Sequence, residues 1–523
     1  MPGKLNRRKV LGIGGASAAA VLLGTGAWSS AAADVRLRGG YPFSLGVASG
    51  DPLPDGVVLW TRLAPEPLAA DGSGGMPARR VPVQYEVATD DQFRDVVQRG
   101  SATATPELGH SVHVEIAGLQ PGRDYFYRFR AAGELSPVGR TRTAPAHAAA
   151  LASLSFAFAS CQHWKDGFFT AYEHMAAEDL DFVVHLGDYV YEYDQTDNKR
   201  GVGLGSEFKS ETRTLDRYRL QYSLFKTDPH LQAAHAAFPW IITMDDHEVD
   251  NNWAGEISQD GDDPAVFLKR RAAAFQAMYE NLPLRRTALP DGPNVRLHRR
   301  LRFGDLADLT MIDTRQYRDD QPCGDGSKYD CAERLDPNRT ILGEQQRQWL
   351  LDGFAQDRGR WQVLGNQAPM GETDLDAGPA KKLFMDPWDG YVAERDAVLA
   401  GAAERGVGNL VVITGDRHQN YAWDLKGDFE DPDSPTVAVE FVGTSISSGG
   451  NGADMTDEGR TMLAANPHMK FFNAQRGYVR CTLTPDLWTS DYRVVPYIDK
   501  PGAPVSTRAT YVVENGRPGV QPA

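Results

Sequence analysis

Cysteine is scarce in this chain. There are four in 523 residues, too few for a scaffold built on disulfides. Positive charge is short as well. Lysine and arginine number 55 against 70 aspartates and glutamates, a net charge of −15. That balance argues against the basic face a nucleic-acid-binding protein presents. It suits plain solubility, or the use of many carboxylates as ligands for hard cations. After the N-terminus no long uncharged apolar run occurs, so nothing there reads as a membrane span and the mature protein is expected to be soluble. Internal repeats and long low-complexity tracts are missing too. The length predicts two or three domains.

Residues 1–33 read as an export signal. Asn6-Arg7-Arg8-Lys9-Val10-Leu11 is a twin-arginine start, and a weakly apolar stretch runs from Leu11 to Trp28. Ala31-Ala32-Ala33 supplies small residues for cleavage. Gly12, Gly14, Gly15, Gly24 and Gly26 leave the segment marginal as a permanent anchor. The expectation is a secreted or extracytoplasmic protein with the Tat export machinery as a partner.

Residues 40–148 predict an all-β module. Val81, Val83, Tyr85 and Val87 alternate, as do Val112, Val114 and Ile116, and Tyr125, Tyr127 and Phe129. Period two marks half-buried strands. Gly118 to Tyr125 is a turn entering a strand at a tyrosine, as in fibronectin-like sandwiches. Thr143 to Ala150 is Ala/Pro-rich and reads as a linker.

From 151 to 510 the pattern becomes α/β. Five strand-like runs break off into polar clusters. Ser155–Ala159 leads into Ser160-Cys161-Gln162-His163, and Phe182–Leu186 into Gly187-Asp188. Ile241–Met244 leads into Asp245-Asp246-His247-Glu248, Trp361–Leu364 into Gly365-Asn366-Gln367, and Leu410–Thr414 into Gly415-Asp416-Arg417-His418. Helical patterns lie between several of them. In α/β folds ligands sit at the carboxyl ends of the strands.

Asp188 leaves a buried strand through Gly187, and a carboxylate placed there can bridge two metals. Tyr191 follows three residues on. A phenol, with a pKa of ~10, ionises at neutral pH only beside a strong Lewis acid, which favours Fe³⁺ if Tyr191 is a ligand. The alternatives are a turn aspartate and a packed tyrosine. Asp245 to Asn252 concentrates oxygen ligands and a histidine behind a buried strand, more than a helix cap needs. Asp416 and His418, two residues apart, can converge on adjacent metals if the loop is extended, though Asp-x-His alone is a weak signal. Cys161 reads either as a core thiol or as a thiolate ligand. Cys481 reads as a core thiol, and Cys323 and Cys331 flank a Gly/Asp-rich loop that a disulfide could close.

Together Ser160-Cys161-Gln162, Gly187 to Glu192, Asp245 to Trp253 and Gly415 to His418 resemble the PhoD-like alkaline phosphatase family. Gly46 to Pro52 and Leu59-Trp60-Thr61-Arg62 extend the resemblance into the N-terminal module. It implies a fibronectin-like domain, then a calcineurin-like four-layer α/β sandwich, with a site related to the purple acid phosphatases. Cys161 stands where the wider superfamily usually has aspartate, Asp246 where it has asparagine, and Asp416 where it has histidine. Less imidazole and more carboxylate moves the second metal from zinc toward calcium. The resemblance therefore assigns Cys161, Asp188, Tyr191 and His418 to Fe³⁺. Asp188, Asp246 and Asp416 go to Ca²⁺, with Asn252 as a further contact.

The implied activity is hydrolysis of phosphomonoesters or phosphodiesters by a metal-activated hydroxide. His247 either protonates the leaving oxygen or positions phosphate. Arg271, on the apolar stripe between Phe267 and Phe275, is expected to clamp phosphate, with Arg270 as the fallback. Two rivals remain. One is a phospholipase D-like phosphodiesterase of the same family, with membrane lipid as substrate only. The other is a non-catalytic surface protein that binds through its β domain.

Overall fold

The computed structural model describes residues 40–356 and 359–523. The twin-arginine segment and Ala31–Ala33 lie outside the described residues.

Two large sheets stack face to face. The ten-stranded sheet has at its centre the parallel strands Leu154–Ala159, Phe182–His185 and Pro239–Ile242. The seven-stranded sheet has Ala307–Met311, Trp361–Gly365, Leu410–Thr414 and Thr436–Val442 in parallel. Alternation decides what each face covers. Phe156, Phe158, Phe182 and Val184 point between the sheets and meet Val363, Val411, Ile413 and Phe441. Ala157, Val183, Trp240 and Ile242 point outward, under the helices Thr170–Ala176, Leu215–Lys226, Pro229–Ala237 and Pro264–Asn281. Leu364, Val412 and Val442 lie under Glu344–Phe354 and Val392–Glu404 on the far side. The result is helix, sheet, sheet, helix. Strands covered on both faces are buried at every position, as Phe182–His185 is.

The N-terminal domain is all β. Asp124–Ala131 alternates between buried and half-buried along its full length. It pairs with Val81–Ala88 and Gly139–Arg142. The facing strands Val47–Leu53, Gly56–Arg62 and Ser111–Ile116 close a sandwich over Val57, Leu59, Val114 and Tyr127. These same strands also continue the ten-stranded sheet, because Ser49 and Gly50 pair in parallel with Pro239 and Trp240. Gly50 permits that approach: a Cβ there would lie 2.4 Å from Pro283 O and 2.8 Å from Trp240 O. Alternation along single strands carries no information about this continuation. At the other edge the sheet runs on to Arg517–Pro522. Among the described residues no helix is long and apolar enough to cross a membrane.

Candidate metal centre

Because the central strands are parallel, their carboxyl ends open on one side, and the polar clusters gather there. Turning sharply out of the sheet costs backbone strain, and the site carries it. Among the described residues eleven non-glycine positions have positive φ. Five of them are Cys161 (59°), Asp188 (55°), Asn252 (49°), Asp416 (65°) and His418 (55°). Strain of this kind persists only where surrounding contacts over-determine it. Gly187 adopts φ 118°, and a Cβ there would lie 2.5 Å from Asp245 N.

Asp188 is the hub. Its carboxylate lies within 4.8 Å of ligand atoms of Cys161 and His418, and separately within 4.8 Å of Asp246 and His247. The Tyr191 hydroxyl is 2.9 Å from Asp188 Oδ2 and 3.2 Å from His418 Nε2. Its ring is held between His163 and His247, with centroids at 4.4 and 4.2 Å. Asp416 falls in neither group, but one of its carboxylate oxygens is buried without a hydrogen bond, as are Asp188 Oδ1 and Asp246 Oδ1. Buried carboxylate oxygens without donors are costly unless a cation answers them.

The electrostatics agree. Burial pushes the Asp188 carboxyl well above the usual carboxylate range, and Asp246, Asp245 and Glu248 add to that against His247. Asp416 is raised by burial and by Asp245 and Asp386. Burial raises Cys161, helped by Asp188 and Asp416, and raises Tyr191, helped by Asp188 and Cys161. So many acids crowded together repel one another's charge, and bound cations would reverse each of these shifts. Burial acts to lower His247, but Glu192, Asp246 and Asp188 overcome it and hold the imidazolium. The donor set of thiol, phenol, imidazole and carboxylates therefore fits a metal pair of unlike hardness.

A second layer fixes these groups. The Glu248 carboxylate accepts from the backbone N–H of Asp188 (3.1 Å), Tyr189 (2.6 Å) and Asp245 (2.9 Å), and so ties two strand ends together. Glu192 Oε2 lies 2.8 Å from His247 Nδ1, while Glu192 Oε1 accepts from Asn251 N. Arg315 is fully buried between Asp245 (2.6 Å) and Asp386 (2.8 Å), 3.9 Å from Asp246. Ser448 Oγ lies 2.7 Å from the Tyr191 hydroxyl and 2.8 Å from Cys161 O, and Arg476 donates to Ser448 O. The sequence alone does not single out Ser448, Arg476, Arg315 or Asp386. The small-residue run Ser447-Ser448-Gly449-Gly450 just past Thr436–Val442 was the available signal for the first of them.

The two arginines expected at phosphate are committed elsewhere. Arg271 donates to Pro293 O (2.8 Å), to Gly255 O and to Asn294 Oδ1 (3.3 Å). Arg270 pairs with Glu211 (2.6 Å) and Asp250 (3.1 Å) and donates to Tyr218. The stripe position correctly indicates burial, but Arg271 enters a seam of loop carbonyls. Asn252 sits at the rim, its backbone N–H on Asp246 Oδ2 at 2.8 Å. Cys323 and Cys331 form a disulfide, whereas Cys161 and Cys481 are free and buried.

A four-layer α/β sandwich with such a donor set at its strand ends defines a phosphoric ester hydrolase of the calcineurin-like class. The chain belongs to the PhoD-like phosphatase family, whose model matches residues 156–492, with the family's N-terminal domain matching 29–145. It is 49% identical over 482 residues to alkaline phosphatase D of Bacillus subtilis (strain 168), covering 92% of this chain and 82% of that protein. A solved structure described as "Structure of PhoD" superposes with a TM-score of 0.90 at 48% identity, covering 94% of this chain and 93% of the other.

Proposed function

We propose that this protein is an exported, Tat-targeted phosphoesterase. On this reading Cys161, Asp188, Tyr191 and His418 hold Fe³⁺, and Asp188, Asp246 and Asp416 hold Ca²⁺, with Asn252 beside the calcium. Bound there, the metals supply the Lewis acidity that lets water act as a nucleophile at neutral pH. One observation carries the reading: the Asp188 carboxylate is shared by two donor groups, one with the Cys161 thiol and the His418 imidazole, the other with the Asp246 carboxylate and the His247 imidazole.

The remaining steps belong to the chain. Glu192 orients His247 through Nδ1, which leaves Nε2 to hold a phosphate oxygen and deliver its proton to the departing alkoxide. Glu248 keeps Asp188 and Asp245 in register as charge moves. Ser160 donates no proton in this scheme; its hydroxyl lies 3.1 Å from the Cys161 sulfur. Attack is a single displacement without a phosphoenzyme. A chiral thiophosphate ester hydrolysed in isotopically labelled water should therefore invert at phosphorus, and net retention would refute direct attack.

Beside Glu192 lies an acid-rich cleft of about 370 Å³ lined by Tyr193, Asp194, Glu211, Asp250 and Lys165. Rates on a phosphomonoester, a bis-aryl phosphodiester and phosphatidylcholine separate the alkaline phosphatase reading from the phospholipase D-like one. Hydrolysis of the simple esters should exceed that of phosphatidylcholine. A dominant rate on the lipid would transfer the assignment to the second reading.

A further inference from the structure

The loop closed by Cys323–Cys331 reaches the rim of the site through one side chain. Asp325 adopts φ 58° between Gly324 and Gly326, which are themselves at positive φ. With Cys323 (φ 56°), four consecutive residues of positive φ form a tight hook, and the disulfide fastens its base. Further anchors hold it. Cys323 N donates to Glu333 Oε2 (2.8 Å), Met385 N donates to Gly326 O (3.1 Å), and Ser327 and Lys328 pair with Phe384 and Leu383. At the tip, Asp325 Oδ2 accepts from Asn252 Nδ2 at 2.8 Å, and Asp325 Oδ1 is buried without a partner.

Asn252 is otherwise fixed only through its backbone. Its N–H is on Asp246 Oδ2 (2.8 Å), and its C=O accepts from Gln321 Nε2 (2.7 Å). Its side-chain amide has two unlike ends, an oxygen that a hard cation accepts as ligand and an NH₂ that it rejects. A carboxylate is acceptor-only at neutral pH, so Asp325 admits only the NH₂ end. The carbonyl oxygen Oδ1 must then face the other way.

We infer that Asp325 is a positioning residue for the cation half of the site, acting through Asn252. The strapped loop fixes which end of the Asn252 amide is presented beside Asp246. This rests on the proposal that Asp246 and its neighbours hold a hard divalent cation. Nothing in the isolated sequence signals it, because Asp325 lies 73 residues from Asn252.

The test is a titration of the full-length, calcium-depleted protein with CaCl₂, following both the thermal midpoint and hydrolysis of p-nitrophenyl phosphate. Losing a partner that orients a metal ligand costs on the order of tenfold in metal affinity. Asp325→Ala should raise the half-saturating calcium concentration by about that factor while leaving the calcium-free midpoint unchanged. Asp325→Asn keeps the size but can face either end of the amide, so it should shift the titration in the same direction. Combined with Asp325→Ala, the second substitution Asn252→Asp should restore tight binding, because a carboxylate presents oxygen whichever way it turns. An unchanged half-saturation point in both Asp325 variants overturns the inference, as does failure of Asn252→Asp to restore it. Asp246→Asn distinguishes the deeper failure: if it too leaves the calcium response unchanged, the cation reading itself falls.

Discussion

Tyr191 is the residue whose chemistry most sharply separates metal centre from packed core. Its hydroxyl touches Asp188, His418 and Ser448, and burial raises its pKa together with the negative neighbours. Without a strong Lewis acid it stays a phenol. With Fe³⁺ bound it ionises and gives a ligand-to-metal charge-transfer band in the visible. Tyr191→Phe should abolish or shift that band, as read by absorption spectroscopy; an identical spectrum would exclude Tyr191 as a ligand. At this scale the sequence is informative where a metal-capable residue type follows shortly after a strand end, as Asp188, Asp246 and His418 do. It misleads for Arg271, since apolar spacing reports burial of a side chain and not which loop carbonyls wait at its end.

At the scale of elements, the five abrupt strand ends are legible because buried parallel strands read as short apolar runs and their polar clusters stand out behind them. What holds those clusters is not legible. Glu248 bonds three backbone N–H groups on two strand ends, Arg315 reaches Asp245 across 70 residues and Asp386 across 71, and Ser448 reaches Tyr191 across 257. Such partners meet only after folding. The Cys323–Cys331 loop is similar: flanking cysteines permit a disulfide but do not require one. Closing so short a loop contributes about 2–3 kcal/mol by restricting the unfolded chain. The paired substitution Cys323→Ser/Cys331→Ser should lower the midpoint of thermal unfolding, measured by calorimetry, with most of the activity kept at saturating calcium. An unchanged midpoint would mean that the strap adds nothing to its anchors.

At the scale of the molecule, the β domain is fused to the catalytic sandwich. The run Leu59-Trp60-Thr61-Arg62, recognisable in the sequence only as a family feature, is the joint. Trp60 Nε1 donates to Glu280 O (3.0 Å), and buried Arg62 donates to Gly109 O, Ser223 Oγ and Asn281 Oδ1. Lys226 is buried in the same joint, its Nζ 4.1 Å from the Trp60 ring centroid and 5.5 Å from that of Tyr189, next in sequence to Asp188. Burial, reinforced by Arg62, lowers the Lys226 ammonium to about 7. Above that pH the unfolded chain binds a proton that the folded chain does not, so stability rises from pH 7 toward the ordinary lysine value. Below it the cost is present in full, on the order of 5 kcal/mol as an upper figure. Lys226→Met should therefore be the more stable form near about pH 6 and should flatten the alkaline rise. Equal pH slopes in chemical denaturation of the two proteins would contradict this.

On the proposed reading one carboxylate, Asp188, joins two different metals. Elemental analysis of the purified protein beside its Asp188→Asn variant tests it directly. Iron and calcium should occur together in the parent and both should be lost from the variant, because the shared ligand serves each site. A fully active parent free of both metals, or a variant that retains both, would contradict it.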